Sequence, residues 1–512
     1  MSEVDGLHTI GRWTSDRARS TPDRVAVDDG KSSVNYAELE ARAKRLADML
    51  RRAGHAPGDR VATLTGNSAD HVVVFFACAK ARLVLVPLSW RLSAREIAEQ
   101  LEHAAAGLLL VEPALAELAA AAHARLGHPM PTASLGLDGV ESEFGAADIP
   151  AAEQDAVLDD DPLLMLYTSG TTGQPKCVVL THANCFWTNL SLSLTVHLGN
   201  EDIVLSVLPQ FHVGGWNIQP LLAWWCGATV LLQRTFDAGQ VLQLIAQRRV
   251  TTMMGVPTNY LFLAEHPDFA STDLSSLRHA IVGGAPMPEP LLRTWHARDV
   301  SLVQGYGLSE AAPNVLCLPD EDARRKLGFA GKPYPHVDTA VADPQTGELL
   351  EGVADGELLV RGPNVFAGYW RDPDATALAL REGWLHTGDL VHRDDEGFFR
   401  ILDRLDDMFI SGGENISPTE VENVLYSHPA VGEAAVVGQP HERWGQVGVA
   451  FIVRRLGIPV EAEELIAYCH SELAGYKVPR EVRFVDALPY SEVGKLLRRQ
   501  LRPPQQDTSA TP

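Results

Sequence analysis

The sequence predicts an α/β protein with a large N-terminal domain of parallel or mixed sheets and a small α+β domain at its C-terminal end. Its 512 residues exceed what one hydrophobic core usually absorbs, so at least two domains are expected. Short apolar runs alternate with helical patterns between residues 25 and 125, which is typical of a largely parallel sheet. After Arg404 the pattern changes to a compact group of short strands and two helices.

The N-terminal elements are predicted in the order strand, helix, strand, helix, strand. We predict strands over residues 61–65, 83–87 and 107–111, and a helix over residues 70–81. A second helix is predicted to begin at Ser93. A further strand over residues 163–168 and turn-rich strands near residues 347–361 continue the α/β pattern towards residue 400.

The C-terminal region has the size and pattern of a separate small domain. The segment 417–420, Ser-Pro-Thr-Glu, is a capping-box signature that starts a helix. Strands are predicted over residues 433–438, 447–453 and 481–485, with a helix over residues 461–473. About a hundred residues of this kind form a domain of ordinary size.

Composition excludes several classes of protein. The formal net charge of −23 would repel nucleic acid and anionic membranes. None of the six cysteines forms a C-x-x-C pair, so they are predicted to be reduced thiols of a cytoplasmic protein. The N-terminal residues carry acids and no apolar run, so no signal peptide is predicted. Lys80 and Arg82 interrupt the most apolar early stretch, so no membrane span is predicted.

A loop rich in glycine and hydroxyl side chains lies between two apolar runs. Its glycines leave the backbone free to curl, so that N–H groups can point inward at an anion. The hydroxyls add donors for phosphate oxygens, and a lysine adds positive charge. The pattern differs from a P-loop, which requires Gly-Lys-Ser/Thr after four intervening residues. The loop residues concerned are Thr168, Ser169, Gly170, Thr171, Thr172, Gly173 and Lys176.

The segment 167–176, Tyr-Thr-Ser-Gly-Thr-Thr-Gly-Gln-Pro-Lys, resembles the signature of the adenylate-forming superfamily. That superfamily comprises acyl- and aryl-CoA synthetases, firefly luciferase and peptide-synthetase adenylation domains. The resemblance covers nearly the whole chain, and its other motifs occur in the right order. It implies an ATP- and acyl-binding domain over residues 1–402 and a mobile lid domain over residues 403–503. Residues 504–512 are predicted to be a disordered tail.

The resemblance implies a reaction in two halves. A carboxylic acid would first be activated by ATP and Mg²⁺ as acyl-AMP, with release of pyrophosphate. The lid would then rotate about Asp403, and the thiol of CoA would attack the adenylate. Lys495, in the segment 489–498, would be the catalytic lysine of the first half. Thr168 and Lys176 would help to neutralise the phosphates, and His212 would border the carboxylate.

The same resemblance implies a set of nucleotide contacts. The segment 304–310, Gln-Gly-Tyr-Gly-Leu-Ser-Glu, would stack Tyr306 on adenine and place its neighbours near the phosphates. Glu310 would bind Mg²⁺, for which a carboxylate is a suitable hard ligand. Asp389 and Arg404 would contact the ribose. The remaining implied nucleotide-binding residues are Gly283, Gly284, Ala285, Gly307 and Ser309.

The acyl and CoA sites are implied by single residues rather than by long motifs. Trp216, Asn217 and Asn314 would lie near the acyl pocket, and the polar Asn314 favours a medium-sized or aryl acid with a polar substituent. The residues implied in CoA binding are Arg91, Trp444 and Tyr476. Some relatives have an arginine that holds CoA where this chain has Val478.

Several alternatives remain open at this level. His212 stands where amino-acid-adenylating domains usually place aspartate, which argues against an α-amino acid. The acceptor is CoA or, alternatively, a carrier-protein thiol, an amine or another nitrogen nucleophile. A non-catalytic nucleotide-binding homologue is the non-enzyme alternative. A monomer or a homodimer is expected.

Overall fold

The computed structural model describes most of the chain, and its secondary structure confirms the predicted α/β class with a smaller C-terminal domain. The described residues are 6–136, 139–140, 156–168, 175–285, 287–405, 407–411, 414–490 and 496–502, without the side chain of Asn415. The predicted tail over residues 504–512 lies outside them.

The helices of the large domain cover its sheets, and two helices belong to the small domain. In chain order they are α1 (Arg12–Ser20), α2 (Tyr36–Arg52), α3 (Ala69–Ala81), α4 (Ala94–Ala104), α5 (Ala116–His123), α6 (His182–Ser193), α7 (Gly214–Asn217), α8 (Pro220–Cys226), α9 (Ala238–Arg248), α10 (Pro257–Glu265), α11 (Glu289–His296), α12 (Pro373–Ala379), α13 (Pro418–Ser427) and α14 (Ala462–Glu472).

The strands are mostly short, and many are fully buried. In chain order they are β1 (Val25–Asp28), β2 (Ser33–Asn35), β3 (Arg60–Leu64), β4 (Val84–Leu88), β5 (Leu108–Val111), β6 (Thr132–Ser134), β7 (Pro162–Thr168), β8 (Lys176–Thr181), β9 (Ile203–Ser206), β10 (Thr229–Leu232), β11 (Thr252–Gly255), β12 (His279–Val282), β13 (Leu302–Gly307), β14 (Asn314–Cys317), β15 (Lys332–Pro333), β16 (Asp338–Ala342), β17 (Leu349–Leu350), β18 (Ala354–Arg361), β19 (Gly368–Tyr369), β20 (Leu380–Arg381), β21 (Trp384–Arg393), β22 (Phe399–Arg404), β23 (Phe409–Ser411), β24 (Glu414–Ile416), β25 (Val431–His441), β26 (Gly445–Arg454) and β27 (Glu481–Phe484).

Two large sheets carry the phosphate-binding and adenine-binding motifs. One has the order β19-β8-β7-β4-β3-β5-β6, and the other has the order β15-β14-β13-β12-β11-β9-β10-β1-β2. Their central strands are parallel. Both edges of the second sheet are antiparallel, whereas the first sheet is antiparallel at its β19 edge and parallel at its β6 edge. Parallel strands place their carboxyl ends on one edge, where ligands of open α/β sheets usually bind.

A third sheet of the large domain is wholly antiparallel, in the order β17-β16-β18-β21-β20 with β22 beside β21. It brings Asp389 of β21 directly opposite Arg404 of β22. The pairing of β22 continues past residue 402, so the strand of the large domain extends two residues beyond the predicted boundary. The boundary itself stays a prediction.

The small domain has the order β24-β23-β26-β25, with β27 parallel to β26 and helices α13 and α14 against the sheet. Ser417 caps α13 by accepting the Glu420 N–H at 3.3 Å, as predicted. The prediction of a complete capping box was wrong, because the Glu420 carboxylate does not bond back to the Ser417 N–H. The Glu420 carboxylate pairs instead with Lys477 at 2.6 Å, because a nearby ammonium competes for it.

Apolar residues from both large sheets and the helices between them form the main cores, while the small domain has its own. All six cysteines are free thiols. Among the described residues no helix is both long and apolar enough to cross a bilayer.

Candidate active site

The glycine-rich loop begins and ends on two paired strands. Thr168, the last residue of β7, lies opposite Lys176, the first residue of β8, and its hydroxyl donates to the Lys176 carbonyl at 3.4 Å. The strand pair therefore holds both ends of the loop together. The predicted phosphate contacts Ser169, Gly170, Thr171, Thr172 and Gly173 lie outside the described residues, as does Lys495.

Lys176 lies beside Tyr369, which in turn contacts the predicted metal ligand Glu310. Its Nζ lies 4.8 Å from the ring centroid of Tyr369, and the Tyr369 hydroxyl donates to Glu310 Oε1 at 2.8 Å. Burial and the Glu310 carboxylate raise the pKa of Tyr369, so the phenol keeps its proton. Tyr369 was not predicted as a site residue. It reaches Glu310 because β19 pairs with β8, and short strand pairings of this kind leave little trace in a sequence.

Glu310 has the chemistry that a magnesium ligand requires. It is partly exposed and follows Ser309 at the start of a short 3₁₀ turn. A carboxylate offers about four acceptor positions, so one phenol leaves capacity for a hard cation. The donor set therefore fits Mg²⁺.

The predicted ribose contacts are assembled around one buried carboxylate. Asp389 is 4% exposed, and its Oδ1 lies 3.0 Å from Arg404 Nε. The Tyr306 hydroxyl donates to the other oxygen of Asp389. The Asp389 charge raises the pKa of Arg404, while burial and Asp389 raise that of Tyr306. Three residues separated by up to 98 positions thus form one polar cluster.

Residues 283–285, which the resemblance implies in nucleotide binding at the adenine, directly follow β12, whose last residue Val282 pairs with Gln304 of β13. A side chain at Gly283 would place its first carbon 2.8 Å from the Gly305 carbonyl oxygen. Gly284 has φ +83°, a conformation that favours glycine. Close packing therefore requires glycine at position 283, and backbone geometry favours it at position 284.

A cavity of about 630 Å³ lies between the large domain and the lid, within the range of small-molecule sites. Both domains contribute to its wall. The large domain provides Gly284, Ala285, Tyr306, Gly307, Asp389 and Arg404. The small domain provides Glu422, Tyr426, Tyr490, Leu496 and Arg498, among others. Tyr490 and Leu496, the described residues on either side of the segment 491–495, therefore line the same cavity as Tyr306 and Asp389.

The residues predicted near the carboxylate and the acyl group are buried or partly buried. His212 is partly buried and precedes α7, where its ring packs 4.6 Å from that of Phe211. Trp216 is completely buried, stacks on Phe75 at 4.7 Å and donates its indole N–H to the Gln210 carbonyl at 2.5 Å. In this structure Trp216 is a core residue behind His212. Its predicted contact with an acid stays a prediction.

The asparagines predicted at the acyl pocket form a buried hydrogen-bonded layer. Asn314 Nδ2 donates to Thr188 Oγ1 at 3.1 Å and to the Asn217 carbonyl at 3.4 Å. Asn217 Oδ1 accepts from Asn189 Nδ2 at 3.2 Å. Among the described residues, the Asn189 side-chain oxygen has no hydrogen-bond partner. Sequence reasoning missed Asn189, since a single Asn in an apolar helix carries no motif.

The predicted CoA contacts remain separate side chains at the surface. Arg91 is exposed, with its guanidinium 5.1 Å from the Trp90 ring centroid. Trp444 and Tyr476 are 36% and 46% exposed on the lid. Val478 packs in the core of the lid and offers no charge. These positions leave two large aromatic surfaces available to a partner.

Family models match most of the chain. A model described as AMP-binding enzyme matches residues 14–370, and one described as AMP-binding enzyme C-terminal domain matches residues 420–495. The chain is also 43% identical to a feruloyl-CoA synthase of Amycolatopsis sp over 493 residues, which are 96% of this chain and 98% of the relative.

Solved structures resemble the whole chain. ATP-bound MatB from Rhodopseudomonas palustris is 31% identical with a TM-score of 0.89, over 97% of this chain and 98% of that one. An o-succinylbenzoate coenzyme A synthetase from Bacillus subtilis, in complex with ATP and magnesium ion, is 35% identical with a TM-score of 0.84. That match covers 96% of this chain and 99% of the other. The similarity to these solved structures therefore covers both domains.

Proposed function

Since this chain belongs to the AMP-binding enzyme family and is an adenylate-forming acyl- or aryl-CoA ligase, we propose that its interdomain cavity binds ATP and that its acid is aromatic with a polar substituent. The observation that carries the nucleotide assignment is the cluster of Tyr306, Asp389 and Arg404 on the cavity wall. Asp389 already accepts from two side chains, and a carboxylate has capacity for further donors such as ribose hydroxyls.

The proposed first half-reaction joins the acid to the α-phosphate. A carboxylate oxygen bonds to the α-phosphorus, and the bond from that phosphorus to the pyrophosphate oxygen breaks. Positive charge at Lys176 and Lys495 stabilises the charge that develops on the phosphoryl oxygens, and Thr168 adds a hydroxyl donor. His212 borders the carboxylate, and Tyr306 with the wall at 283–285 orients the base.

Glu310 would hold Mg²⁺ with the phosphates, and a bound magnesium ion neutralises phosphate charge. The Tyr369 hydroxyl at 2.8 Å restricts the orientation of this carboxylate. Ser309, the residue before it, is a hydroxyl donor for a phosphate oxygen. The solved relative in complex with ATP and magnesium ion supports this choice of metal.

The proposed second half-reaction transfers the acyl group to CoA. Rotation of the lid about Asp403 removes Lys495 and exposes the adenylate to the thiol, whose sulfur bonds to the acyl carbon as AMP leaves. The exposed aromatic side chains of Trp444 and Tyr476, together with Arg91, are proposed to contact CoA. Because Val478 carries no charge, we propose that Trp444 and Tyr476 make more of the contact with CoA.

A polar aryl acid is supported by the buried asparagine layer and by the similarity to a feruloyl-CoA synthase. Among the described residues the side-chain oxygen of Asn189 has no hydrogen-bond partner, and a buried acceptor without a partner carries a desolvation cost. We propose that it accepts a hydroxyl of the acid. A site built in this way discriminates against acids that lack the hydroxyl.

The test is acid-dependent pyrophosphate release, with ATP and Mg²⁺ and with CoA added or omitted. Ferulate, cinnamate, benzoate and palmitate form the panel, and mass spectrometry identifies the product. We expect ferulate to give the highest kcat/KM and a CoA thioester as product. A preference for palmitate would contradict the proposed acid class, and release without a thioester would contradict CoA as the acceptor. Cinnamate equal to ferulate would contradict recognition of the hydroxyl.

A further inference from the structure

A buried ion pair connects the C-terminal end of the chain to helix α13. Arg498 Nη2 lies 2.5 Å from Glu422 Oε2, and the two side chains are 13% and 9% exposed. The other oxygen of Glu422 accepts the Val436 N–H at 2.7 Å. Glu422 is thus fixed to strand β25 by one oxygen and holds Arg498 with the other.

Arg498 lies directly after the base of the segment that contains Lys495. Tyr490 and Leu496 form an antiparallel bridge, and the Leu497 N–H donates to the Pro489 carbonyl at 2.8 Å. These bonds join residues 489–490 to residues 496–497, which form the base of the segment 491–495. The 3₁₀ turn that follows this base begins at Arg498, so the Arg498 side chain connects the base to Glu422 of α13.

The same helix also holds the predicted hinge. Asp403 Oδ2 accepts the Ser417 hydroxyl at 2.8 Å and the Thr419 N–H at 3.1 Å, at the first turn of α13. Burial opposes the charge on Arg498, but Glu422, Asp403 and Asp407 outweigh it and raise the pKa of the guanidinium. Helix α13 therefore contacts the hinge residue Asp403 at its first turn and, through Glu422, contacts Arg498 one turn later.

A buried ion pair such as Arg498–Glu422 contributes little to the free energy of unfolding. Removing two charges from water costs several kcal/mol for each ion, which their attraction often fails to recover. Burial also raises the pKa of Glu422 to about 7. By contrast, the Glu420–Lys477 pair on the same helix is partly exposed and avoids that cost. A buried ion pair between α13, which contacts the hinge residue Asp403, and the base of the segment 491–495 is suited to holding one relative position of the two.

We propose that Arg498, held by Glu422, is a positioning residue for adenylation that holds the base of the segment containing Lys495, residues 489–490 and 496–497, relative to the hinge at Asp403. The inference rests on the proposed role of Lys495. In the arrangement described, Arg498 and Glu422 line the same cavity as Tyr306 and Asp389. Loosening the ion pair frees this base to shift, without altering the side chains of the large domain that are proposed to contact the nucleotide.

The test separates the two half-reactions in Arg498→Gln and Glu422→Gln. We expect kcat for pyrophosphate release to fall roughly 100-fold, the scale of a 1 Å misplacement, with the KM for ATP nearly unchanged. Thioester formation from supplied acyl-AMP and CoA should stay within about threefold of wild type, because Lys495 has left the site in that step. Arg499→Gln, an exposed neighbour, and Glu420→Gln are the matched controls and should behave as wild type in both steps.

Two further variants test the pair itself. Arg498→Lys keeps a cation and should recover part of the adenylation rate, while Glu422→Gln with Arg498→Gln should lose no more than Arg498→Gln alone. Thermal melting accompanies every variant. If Arg498→Gln does not fold, Arg498→Lys and Glu422→Gln decide the question. Equal loss in both half-reactions, or no loss in adenylation, would overturn the inference.

The wild-type enzyme distinguishes this inference from the proposed function. Wild type that releases no pyrophosphate with any acid contradicts the nucleotide and acid assignments themselves. Wild type that is active, with variants whose two half-reactions decline together, contradicts only the positioning role of Arg498.

Discussion

Tyr369 controls the orientation of the proposed metal ligand at the residue scale. Tyr369→Phe removes the 2.8 Å bond to Glu310 while keeping the ring beside Lys176. A hydrogen bond to an ionised carboxylate is worth about 1.5–3 kcal/mol. We expect a roughly tenfold lower adenylation rate and a higher Mg²⁺ concentration at half-maximal rate. Tyr468→Phe, which alters a partly exposed tyrosine on the lid that also forms one side-chain hydrogen bond, is the control. An unchanged Mg²⁺ dependence would show that Tyr369 does not act through Glu310.

The proposed role of Lys495 is tested most directly by measuring the two half-reactions separately. Lys495→Ala should slow pyrophosphate release by roughly 10²–10³-fold, the usual effect of removing one preorganised donor. Thioester formation from supplied acyl-AMP should persist, because that step is proposed to occur after the lid has rotated. Lys44→Ala, on the exposed face of α2, should affect neither step. Equal loss of both half-reactions is the outcome that contradicts the rotating lid.

Individual residues also mark the limit of sequence-based prediction. The motifs identified Asp389, Arg404 and Tyr306, and the structure places them in one cluster. The direct link between Tyr306 and Asp389 was not predictable, because it depends on how two different sheets pack. Asn314 was predicted as a polar group for the acid, yet its amide nitrogen is bonded to Thr188 and Asn217. Composition indicates polarity, but only packing reveals which atoms are already paired.

At the scale of elements, local signals predicted most of the parallel core. Short apolar runs and turn residues located β3, β4 and β5, and a cap located α4. The antiparallel sheet around β18 was harder, since only turn-rich strands near residues 347–361 were recognised. Its strands pair with neighbours up to 39 positions away, as in the Ala354–Arg393 pair of β18 and β21, and alternation alone does not specify such partners.

Helix α13 provides a test at this scale. Ser417→Ala removes both the cap on the Glu420 N–H and the bond to Asp403. Loss of an N-cap costs about 1 kcal/mol, so amide exchange in the first turn of α13 should be roughly fivefold faster. Ser427→Ala, at the other end of the same helix, should leave that turn unchanged. Hydrogen–deuterium exchange resolved to the amides of residues 419–421 measures the first turn in both variants, and equal protection there would contradict the capping role.

At the scale of the whole molecule, two buried histidines join distant parts of the large domain. His71 contacts Thr63 at 2.9 Å and Gln210 at 3.2 Å, and so connects the two large sheets. His182 Nδ1 accepts the Ile10 N–H at 3.1 Å and anchors the N-terminal segment. Burial lowers the pKa of His71 to about 3 and that of His182 to about 4. Both therefore stay neutral in the folded protein at neutral pH.

These histidines make the fold sensitive to acid. Below a pKa of about 6.5 the unfolded chain takes up protons at both rings that the folded protein excludes, so stability falls as the pH drops towards 4. From pH 7.5 to pH 5, a shift to a folded pKa near 4 corresponds to a loss of about 2 kcal/mol for His182. His182→Gln removes that proton uptake, so its stability deficit relative to wild type should shrink by about this amount at pH 5. Denaturant unfolding at the two pH values measures the difference, with His470→Gln on an exposed site as control. A deficit that is the same at both pH values would mean that His182 carries a proton in the folded protein.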